Sequence, residues 1–412
     1  MSSYDLLVVG GGPAGSAAAW RAASAGAKVL VVDKAAFPRD KPCGDGLTPR
    51  AVRSIELLGL ENELKRFNRV DRLRVHGAGR TLEFDWPASD GFPRHGYVIA
   101  RTDLDDLLLR HAQAAGAEVR EATTVKAPIV EDGIVRGVVA NGSEIRASAV
   151  IAADGASSPV GRALGMTRLD HRPMGIAVRA HFEATRPSGD DGVIESHLEL
   201  WDGDALLPGY GWIFPMGSGR INVGVGLLST YEGWQKVNTA HLMGAFLKAL
   251  PAAWGLPSID DLRAQGDLKG WRLPMGFAVW PPYRNGCLAA GDAAGVVNPF
   301  NGEGISEAVE SGVIAAETFL EALDRRGPTD LRVYGERLDE LWGPYYRLGR
   351  TFVRVIGKPR LMRGLTTIGM RVPPVMEFAF KALSNLYRER GGGPGDATMR
   401  GMVRLANHIR IG

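Results

Sequence analysis

A glycine-rich turn close to the N-terminus constrains this chain more than any other stretch. An apolar strand over residues 5–9 runs into Gly10-Gly11-Gly12-Pro13-Ala14-Gly15, a helix of small residues follows, and a second apolar strand ends at Asp33. In this order Gly10 permits a tight turn, Gly12 lets the backbone approach a pyrophosphate, and Gly15 lets the helix pack closely on the sheet. Free N–H groups at the start of the helix attract phosphate. The pattern predicts a dinucleotide site, with Asp33 on the ribose hydroxyls.

Composition narrows the class of protein. Of the 412 residues, 45% are hydrophobic and 23% are charged, which is typical of a soluble globular chain. No apolar run reaches the ~18 residues that a membrane span needs, and no signal peptide precedes the first strand, so we expect a cytoplasmic protein. Its two cysteines, Cys43 and Cys287, argue against a disulfide framework and against a structural zinc site, so we predict no metal.

The charge is distributed unevenly. Residues 345–412 contain 13 Lys and Arg against 3 Asp and Glu, whereas the first 344 residues contain 36 against 43. Apolar residues alternate with Arg360, Arg363 and Arg371 in this basic segment, which favours a pair of helices on an anionic membrane surface. The alternative is a solvated basic cap packed on the domain. We expect no nucleic acid, since no recognised binding module accompanies the charge.

Alternating patterns predict the remaining elements. A hairpin is expected over residues 70–87, a helix to about 115, a β-meander over 129–147, and strands over 175–182, 193–200, 211–215 and 221–228 in a largely antiparallel sheet. Helices are expected over about 48–58, 238–250 and 304–323, and most of the remaining chain is predicted to be helical. The pattern therefore predicts an α/β protein with a second, β-rich region.

Two further acids follow predicted strands. Asp154-Gly155 ends one strand and Gly291-Asp292 ends another, where ligands bind in open α/β sheets. The stretch Pro299–Gly304 then enters a long helix, and its glycines would present N–H groups that stabilise negative charge on a reduced flavin. No second GxGxxG follows a strand, so we predict no separate nicotinamide domain.

These three motifs, in this order, resemble the FAD-binding fold of the aromatic hydroxylase (glutathione reductase type 2) superfamily over roughly residues 4–165 and 275–325. The resemblance implies FAD and a Rossmann-like α/β FAD-binding domain with an inserted antiparallel β-sheet substrate domain and a helical C-terminal segment. We predict the FAD-binding domain over 1–75, 97–165 and 275–330, the substrate domain over 76–96 and 166–274, and the basic helical segment over 331–412.

The resemblance also implies which residues contact FAD. Asp33 would hold the adenosine ribose, Arg101 the ribityl or phosphate region, Val125 the adenine through its backbone, and Asp292 the ribityl or pyrophosphate region. Alternatives are a surface role for Arg101, a core role for Val125 and a role in fold integrity for Asp154. The full set of implied FAD contacts is Gly10, Gly11, Gly12, Pro13, Ala14, Gly15, Asp33, Lys34, Cys43, Gly44, Asp45, Gly46, Arg101, Val125, Asp154, Asp292, Gly302, Gly304 and Ile305.

Two more motifs narrow the resemblance. Tyr210-Gly-Trp-Ile-Phe-Pro215, followed after eight residues by Gly224-Val-Gly226, resembles the YxWxFP…GxG pattern of geranylgeranyl reductases. The loop Pro42–Gly46 resembles their PCGG-type loop, with Asp45 in place of a glycine that many relatives carry. Alternation puts Tyr210, Trp212 and Phe214 on one side of a strand. In the family this row lines a prenyl tunnel and the loop faces the flavin; plain core packing is the alternative for the row.

The loop Cys43–Arg50 is most similar to actinobacterial members of the family, which implies menaquinone as substrate. The implied reaction saturates one isoprene unit by hydride transfer from flavin N5 and proton addition, with Cys43 and Tyr210 as catalytic candidates and an ordered water as their rival. It also implies an unidentified electron donor and peripheral association with the inner face of the cell membrane. Alternatives are reduction of other prenyl lipids, a flavin monooxygenase or halogenase, and a non-enzymatic flavin electron carrier.

Overall fold

The computed structural model describes residues 4–187, 189–324, 331–387 and 393–408. The strands are β1 (Tyr4–Val9), β2 (Val29–Val32), β3 (Gly46–Leu47), β4 (Asn68–Val70), β5 (Arg72–Gly77), β6 (Arg80–Asp85), β7 (Gly96–Val98), β8 (Glu118–Arg120), β9 (Val125–Glu131), β10 (Ile134–Ala140), β11 (Ser143–Ala152), β12 (Met174–Glu183), β13 (Val193–His197), β14 (Leu200–Asp202), β15 (Ala205–Leu207), β16 (Gly209–Gly217), β17 (Arg220–Leu228), β18 (Lys269–Pro274), β19 (Tyr283–Arg284) and β20 (Cys287–Ala289).

The helices are α1 (Pro13–Ser24), α2 (Pro49–Glu56), α3 (Glu61–Leu64), α4 (Arg101–Ala114), α5 (Pro159–Ala163), α6 (Thr239–Ala249), α7 (Ile259–Gln265), α8 (Ile305–Asp324), α9 (Arg332–Ile356), α10 (Pro359–Arg371), α11 (Pro373–Leu383) and α12 (Pro394–His408). Among the described residues, no helix combines the length and apolar character that crossing a bilayer would require.

The first of two compact units comprises residues 1–41, 101–172 and 273–346. Its sheet has the order β19-β20-β11-β1-β2-β8, and the pairs from β20 to β8 are all parallel. Val9 lies opposite both Val32 and Ala152, and Ala152 lies opposite Ala289. The four strands therefore end at the same edge of the sheet, and the residues that follow them are brought together there.

The second unit comprises residues 42–100, 173–272 and 347–412. Its main sheet has the order β18-β12-β17-β16-β13-β5-β6. One face of this sheet buries Ile213 and Val223 with Leu242 and Phe246 of α6. At the other end of the sheet, Val75 on β5 packs with Met370 of α10 and Met376 of α11, so the C-terminal helices cover part of the β5–β6 hairpin.

The two units divide the chain differently from the predicted domains. Residues 42–75, which the sequence placed in the FAD-binding domain, belong to the second unit because β5 pairs in parallel with β13. The predicted C-terminal segment 331–412 is divided between the units: residues 331–346 lie in the first unit, and the described residues from 347 to 408 lie in the second, where α10 and α11 pack on β5. The parallel pairing of β5 with β13 joins strands more than 100 residues apart, and no local pattern predicts such a pairing.

Candidate active site

The glycines of the turn in the first unit have two different roles: two are required by the fold, and one leaves open space. Gly10 has φ +103°, and a Cβ there would lie 2.3 Å from the Ala153 carbonyl oxygen. A Cβ on Gly15 would lie 1.8 Å from the Gly10 carbonyl oxygen, so these two positions need glycine for the fold itself. Gly12, the N-cap of α1, has φ −74° and its nearest atom would be 3.4 Å away. Its missing side chain therefore leaves space at the start of α1 that the fold does not need.

Asp33 holds this turn in place. Its Oδ2 accepts a hydrogen bond from the Gly11 N–H at 2.7 Å, and its Oδ1 accepts one from the Ala35 N–H at 2.8 Å. The side chain is buried, and each oxygen retains a lone pair for a further donor. Lys34, which follows it, is exposed.

Asp292 is distant in sequence from the glycine turn but lies close to it in the structure. It lies in the turn Gly291–Ala294, and its Oδ2 accepts a hydrogen bond from Lys41 Nζ at 3.0 Å. A Cβ on Gly291 would lie 2.9 Å from the Ala14 Cβ, so this turn packs against the first turn of α1. A Cβ on Gly304 would lie 3.7 Å from Asp292 Oδ1. The structure therefore brings together the glycine turn, Asp292 and the turn that begins α8.

The turn before α8 is organised by a buried asparagine. Asn298 is fully buried, its Oδ1 accepts a hydrogen bond from the Phe300 N–H at 2.9 Å, and its own N–H donates to the Glu303 carbonyl oxygen at 2.8 Å. Gly302 has φ +79°, a conformation that favours glycine. Ile305 then begins α8 as a buried residue. The N–H groups at the start of α8 are held in a fixed position.

The remaining predicted residues of the first unit have structural partners. Arg101 is 4% exposed and forms two hydrogen bonds to Asp105, at 2.6 and 2.7 Å, and Asp105 also pairs with Arg39. Val125 is buried at the start of β9. Asp154 Oδ2 accepts a hydrogen bond from the Val160 N–H at 3.2 Å, and burial raises the pKa of this carboxyl. Their roles toward FAD stay predictions.

In the second unit, the loop of Cys43 lies against an aromatic row on β16. Tyr210, Trp212 and Phe214 share one face of this strand, with ring centroids 5.8 and 6.1 Å apart along the row. Cβ atoms on Gly44 and Gly46 would lie 3.1 and 2.9 Å from the Phe214 ring, so both glycines let the ring approach the loop. Cys43 is partly buried.

The second glycine motif accommodates the central indole of the row. On β17, Gly224 is the register partner of Trp212 and Gly226 is the register partner of Tyr210. A Cβ on Gly224 would lie 2.1 Å from Trp212 Cζ2, whereas one on Gly226 would keep 3.7 Å from the ring. Gly224 therefore leaves the space on β17 that the Trp212 indole occupies.

The chain is similar in sequence to a known protein family and to individual proteins over most of its length. A family model described as "FAD binding domain" matches residues 3–340. The chain is 40% identical over 407 residues to menaquinone reductase of Mycobacterium tuberculosis, covering 95% of this chain and 96% of that protein. It is 31% identical to digeranylgeranylglycerophospholipid reductase 1 of Methanopyrus kandleri, covering 86% of this chain and 90% of that protein.

The chain belongs to the geranylgeranyl reductase family of FAD-dependent oxidoreductases. A solved structure with the same fold is a geranylgeranyl bacteriochlorophyll reductase-like protein from Thermoplasma acidophilum, with a TM-score of 0.78, 24% identity and coverage of 98% and 100% of the two chains. The predicted fold class and the prediction of FAD as cofactor are confirmed.

The first unit of this family member fits FAD at several points. The open space at Gly12 and the uncapped start of α1 suit a pyrophosphate, and Asp33 retains acceptor capacity for ribose hydroxyls. Asp292 and the ordered N–H groups at the start of α8 lie near the same turn. These residues would hold the cofactor, and bound FAD would supply two-electron transfer as hydride.

The structure adds residues to the second unit that sequence reasoning missed. Asn222 on β17 is fully buried, and its Nδ2 donates to the Cys43 carbonyl oxygen and to Asp45 Oδ2, at 2.8 Å each. Its Oδ1 accepts a hydrogen bond from Trp212 Nε1 at 2.9 Å. His181 and Arg179 on β12 contact the same loop. The sequence signal was a polar side chain at an inward position of an otherwise apolar strand.

The second unit also contains a cluster of side chains of the kinds that bind metal ions. His76, Glu195 and His197 place their ligand atoms within 4.8 Å of one another. However, Glu195 already pairs with Arg74 and Arg186, which balance its charge and disfavour a cation at the same oxygens. We therefore interpret this cluster as a buried ion-pair network.

Proposed function

We propose that this protein saturates a carbon–carbon double bond in a polyprenyl chain, and that its substrate is menaquinone, reduced at one isoprene unit. The observation that carries the proposal is an aromatic row packed on a cysteine loop in an FAD-dependent oxidoreductase. The names of its relatives, menaquinone reductase and digeranylgeranylglycerophospholipid reductase, support prenyl chains as substrates. The higher identity to the former supports menaquinone.

An isolated trisubstituted alkene has no carbonyl group to accept the charge of an incoming hydride. Reduction must therefore combine a hydride at one carbon with a proton at the other, and positive charge develops at the tertiary carbon. Bound FAD in its reduced form supplies the hydride. The faces of Tyr210, Trp212 and Phe214 would stabilise the developing charge by roughly 0.5–2 kcal/mol each, and the apolar row would exclude water from it.

Two groups in the second unit carry protons beside this row. Cys43 has its carbonyl oxygen fixed by Asn222, and Tyr210 stands at one end of the row. We propose that both contact the reacting isoprene unit. Replacing Cys43 by Ala and assaying chemically reduced, FAD-loaded protein tests the thiol, because full turnover of this variant would eliminate it as the proton donor.

The proposed reaction is tested by anaerobic reduction of the FAD-loaded protein with dithionite, followed by addition of menaquinone with an unsaturated tail. After reaction the lipid is exposed to air, which reoxidises a reduced quinone ring but leaves a saturated tail unchanged. Mass spectrometry should then find a permanent gain of two hydrogens. Digeranylgeranylglycerophospholipid in a parallel reaction distinguishes menaquinone from other prenyl substrates.

The same experiment separates the alternatives. Insertion of oxygen when air is admitted with substrate would indicate a monooxygenase, and flavin reoxidation without a changed lipid would indicate an electron carrier. Either result would contradict the proposed function. Faster saturation of digeranylgeranylglycerophospholipid than of menaquinone would support the proposed reaction but contradict menaquinone as the substrate.

We also propose that the second unit binds the surface of an anionic membrane through α10 and the start of α11. Large apolar side chains that are 43–56% exposed recur there at helical spacing: Leu361, Leu365, Ile368, Val372 and Val375. This stripe, which we call the apolar stripe, is flanked by the exposed Arg360, Arg363 and Arg371. Arg363 also lies 5.7 Å from the ring of Trp201, which is 40% exposed. Apolar area beside basic charge matches a lipid surface that carries negative headgroups.

Sedimentation with lipid vesicles tests this surface. Wild-type protein should bind phosphatidylglycerol vesicles, bind phosphatidylcholine vesicles less, and lose affinity as salt is raised. The double variant Leu365→Glu/Ile368→Glu should weaken binding at least tenfold, since each buried side chain contributes roughly 1.5–3 kcal/mol. Leu57→Glu changes an equally apolar residue, 63% exposed, outside the stripe and serves as the matched control. Equal binding by all three proteins would contradict the proposal.

A further inference from the structure

The loop that carries Cys43 also carries a buried carboxyl group in an unusual setting. Asp45 is fully buried and has φ +63°, a left-handed backbone conformation that few residues other than glycine, asparagine and aspartate adopt. Its Oδ2 accepts hydrogen bonds from His181 Nε2 at 2.6 Å and from Asn222 Nδ2 at 2.8 Å. Its Oδ1 has no hydrogen-bond partner among the residues that the structure describes.

An unpartnered buried carboxyl oxygen is costly. Burying a polar atom without a hydrogen bond costs roughly 1–3 kcal/mol, and more when the group is charged. Such an atom is retained where a bound molecule supplies its partner, or where the atom carries a proton for a reaction. Asp45 Oδ1 therefore indicates a position from which a proton can be exchanged.

The position of this carboxyl relates it to the aromatic row. Asn222 bonds to both Asp45 and Trp212, and it is the register partner of Phe214 on one side and of His181 on the other. Phe214 packs on Gly44 and Gly46, the two neighbours of Asp45. The carboxyl is thus held beside the row by a chain of short hydrogen bonds.

His181 connects the buried carboxyl to solvent. Its side chain is 24% exposed, whereas that of Asp45 is 1% exposed. Imidazole is the side chain best suited to exchange protons with water near neutral pH. Asp45 and His181 therefore form a two-step path, with the imidazole at the outer end and Asp45 Oδ1 at the inner end.

We propose that Asp45 is the acid that protonates the prenyl double bond and that His181 reloads it from solvent. The inference rests on the proposed function and narrows its proton donor to Asp45, which leaves Cys43 and Tyr210 as residues that contact the substrate. Bound, reduced FAD would supply the hydride for one new C–H bond, and the π electron pair of the alkene forms the other with the Asp45 proton as the carboxyl O–H bond breaks. FAD would be left oxidised by two electrons. The Asp45 carboxylate regains a proton from the His181 imidazolium, and the neutral imidazole that remains then takes up a proton from solvent.

The variant Asp45→Asn tests the acid directly. Asparagine tolerates positive φ and can still accept the hydrogen bonds of His181 and Asn222, but it cannot deliver a proton. We expect it to retain FAD and substrate binding while the first anaerobic turnover slows roughly 100-fold or more. Asp202→Asn is the matched control, because Asp202 forms a similar pair with His241, at 3.0 Å, on the exposed surface.

The variant His181→Gln tests the reloading step. Glutamine can still donate to Asp45 Oδ2, so the first turnover should stay within about threefold of wild type. Later turnovers should slow at least tenfold, and added imidazole should restore them, which a merely structural role of His181 would not predict.

The outcomes distinguish the inference from the function on which it rests. If wild-type protein adds no hydrogens to the lipid tail, the proposed function fails. If wild type saturates the tail and Asp45→Asn does so within twofold of its rate, only the inference is overturned. If Asp45→Asn loses FAD, His181→Gln decides, and unchanged later turnovers in that variant would overturn the inference.

Discussion

The two units build their sites from different parts of the chain. In the first unit, the groups that fit FAD are mainly backbone atoms, at the turn Gly10–Gly15, the start of α1 and the turn before α8, with the carboxylates of Asp33 and Asp292 beside them. In the second unit, side chains from β12, β16, β17 and the loop of Cys43 converge through Asn222. A backbone site needs glycine at a few fixed positions, whereas a side-chain site needs several strands in register.

This difference has a consequence for how each site tolerates change. Backbone sites fail when a Cβ enters a space that the chain or the cofactor must occupy. Side-chain sites can lose one hydrogen bond and keep their fold, because neighbouring strands hold the register. We therefore expect substitutions in the first unit to act on stability or on FAD retention, and those in the second unit to act on turnover as well.

The first unit also contains a buried contact between side chains, the ion pair of Arg101 and Asp105. Asp105 is fully buried and forms ion pairs with Arg101, which is 4% exposed, and with Arg39. Asp105→Ala should lower the free energy of unfolding by about 3–5 kcal/mol, because it removes a buried carboxylate that pairs with two guanidinium groups. Urea unfolding measures this change. Asp103→Ala, at an exposed position of α4, should stay within about 0.5–1 kcal/mol, and equal effects of the two would contradict a buried ion pair.

Two glycines of the turn should separate fold from cofactor. Gly15→Ala places a Cβ 1.8 Å from the Gly10 carbonyl oxygen and should lower the free energy of unfolding by about 2–3 kcal/mol. Gly12→Ala meets its nearest atom at 3.4 Å and should leave the unfolding of FAD-free protein nearly unchanged, but it should weaken FAD retention. Urea unfolding and flavin absorbance after gel filtration distinguish the two. Normal FAD retention by Gly12→Ala would remove this glycine from the cofactor site.

A matched pair of variants on β17 tests whether its glycines make room for the Trp212 indole. Gly224→Ala would bring a Cβ to 2.1 Å from Trp212 and should cost about 1–3 kcal/mol of unfolding free energy, with loss of prenyl turnover as the indole moves. Gly226→Ala keeps 3.7 Å from the ring and should cost less than about 1 kcal/mol. Similar losses for both variants would mean that β17 needs glycine for its backbone rather than for the indole.

The same contrast explains what could be predicted from sequence. The glycine turn, Asp33 and the Gly291-Asp292 turn are local patterns, and their meeting at one sheet edge follows from parallel strands. Alternation also placed Tyr210, Trp212 and Phe214 on one face of β16, as the structure has them. The match to the FAD binding domain confirms the cofactor that these patterns predicted.

The polar network of the second unit could not be predicted from local sequence patterns. Asn222, His181 and Arg179 contact the Cys43 loop across more than 130 positions of sequence, and only the register of β12, β17 and β16 brings them there. Asp45 was predicted as a cofactor contact, and its inward side chain depends on a positive φ that a single sequence does not reveal.

The smallest expected effect concerns the ion-pair network of His76, Glu195 and His197, on β5 and β13 of the second unit. Burial, with His76 adding to it, lowers the pKa of His197 to about 4, below the value of about 6.5 of an unfolded chain. Between these values the unfolded state binds the proton and the folded state does not, so stability should fall as the pH is lowered from 6.5 toward 4. Wild type should lose about 1–2 kcal/mol more than His197→Gln between pH 7 and pH 5. Glu195, whose lowered pKa acts below about 4.5, does not titrate in that window. Urea unfolding at the two pH values measures the difference, and parallel losses in the two proteins would show that His197 takes up its proton in the folded state as readily as in the unfolded one.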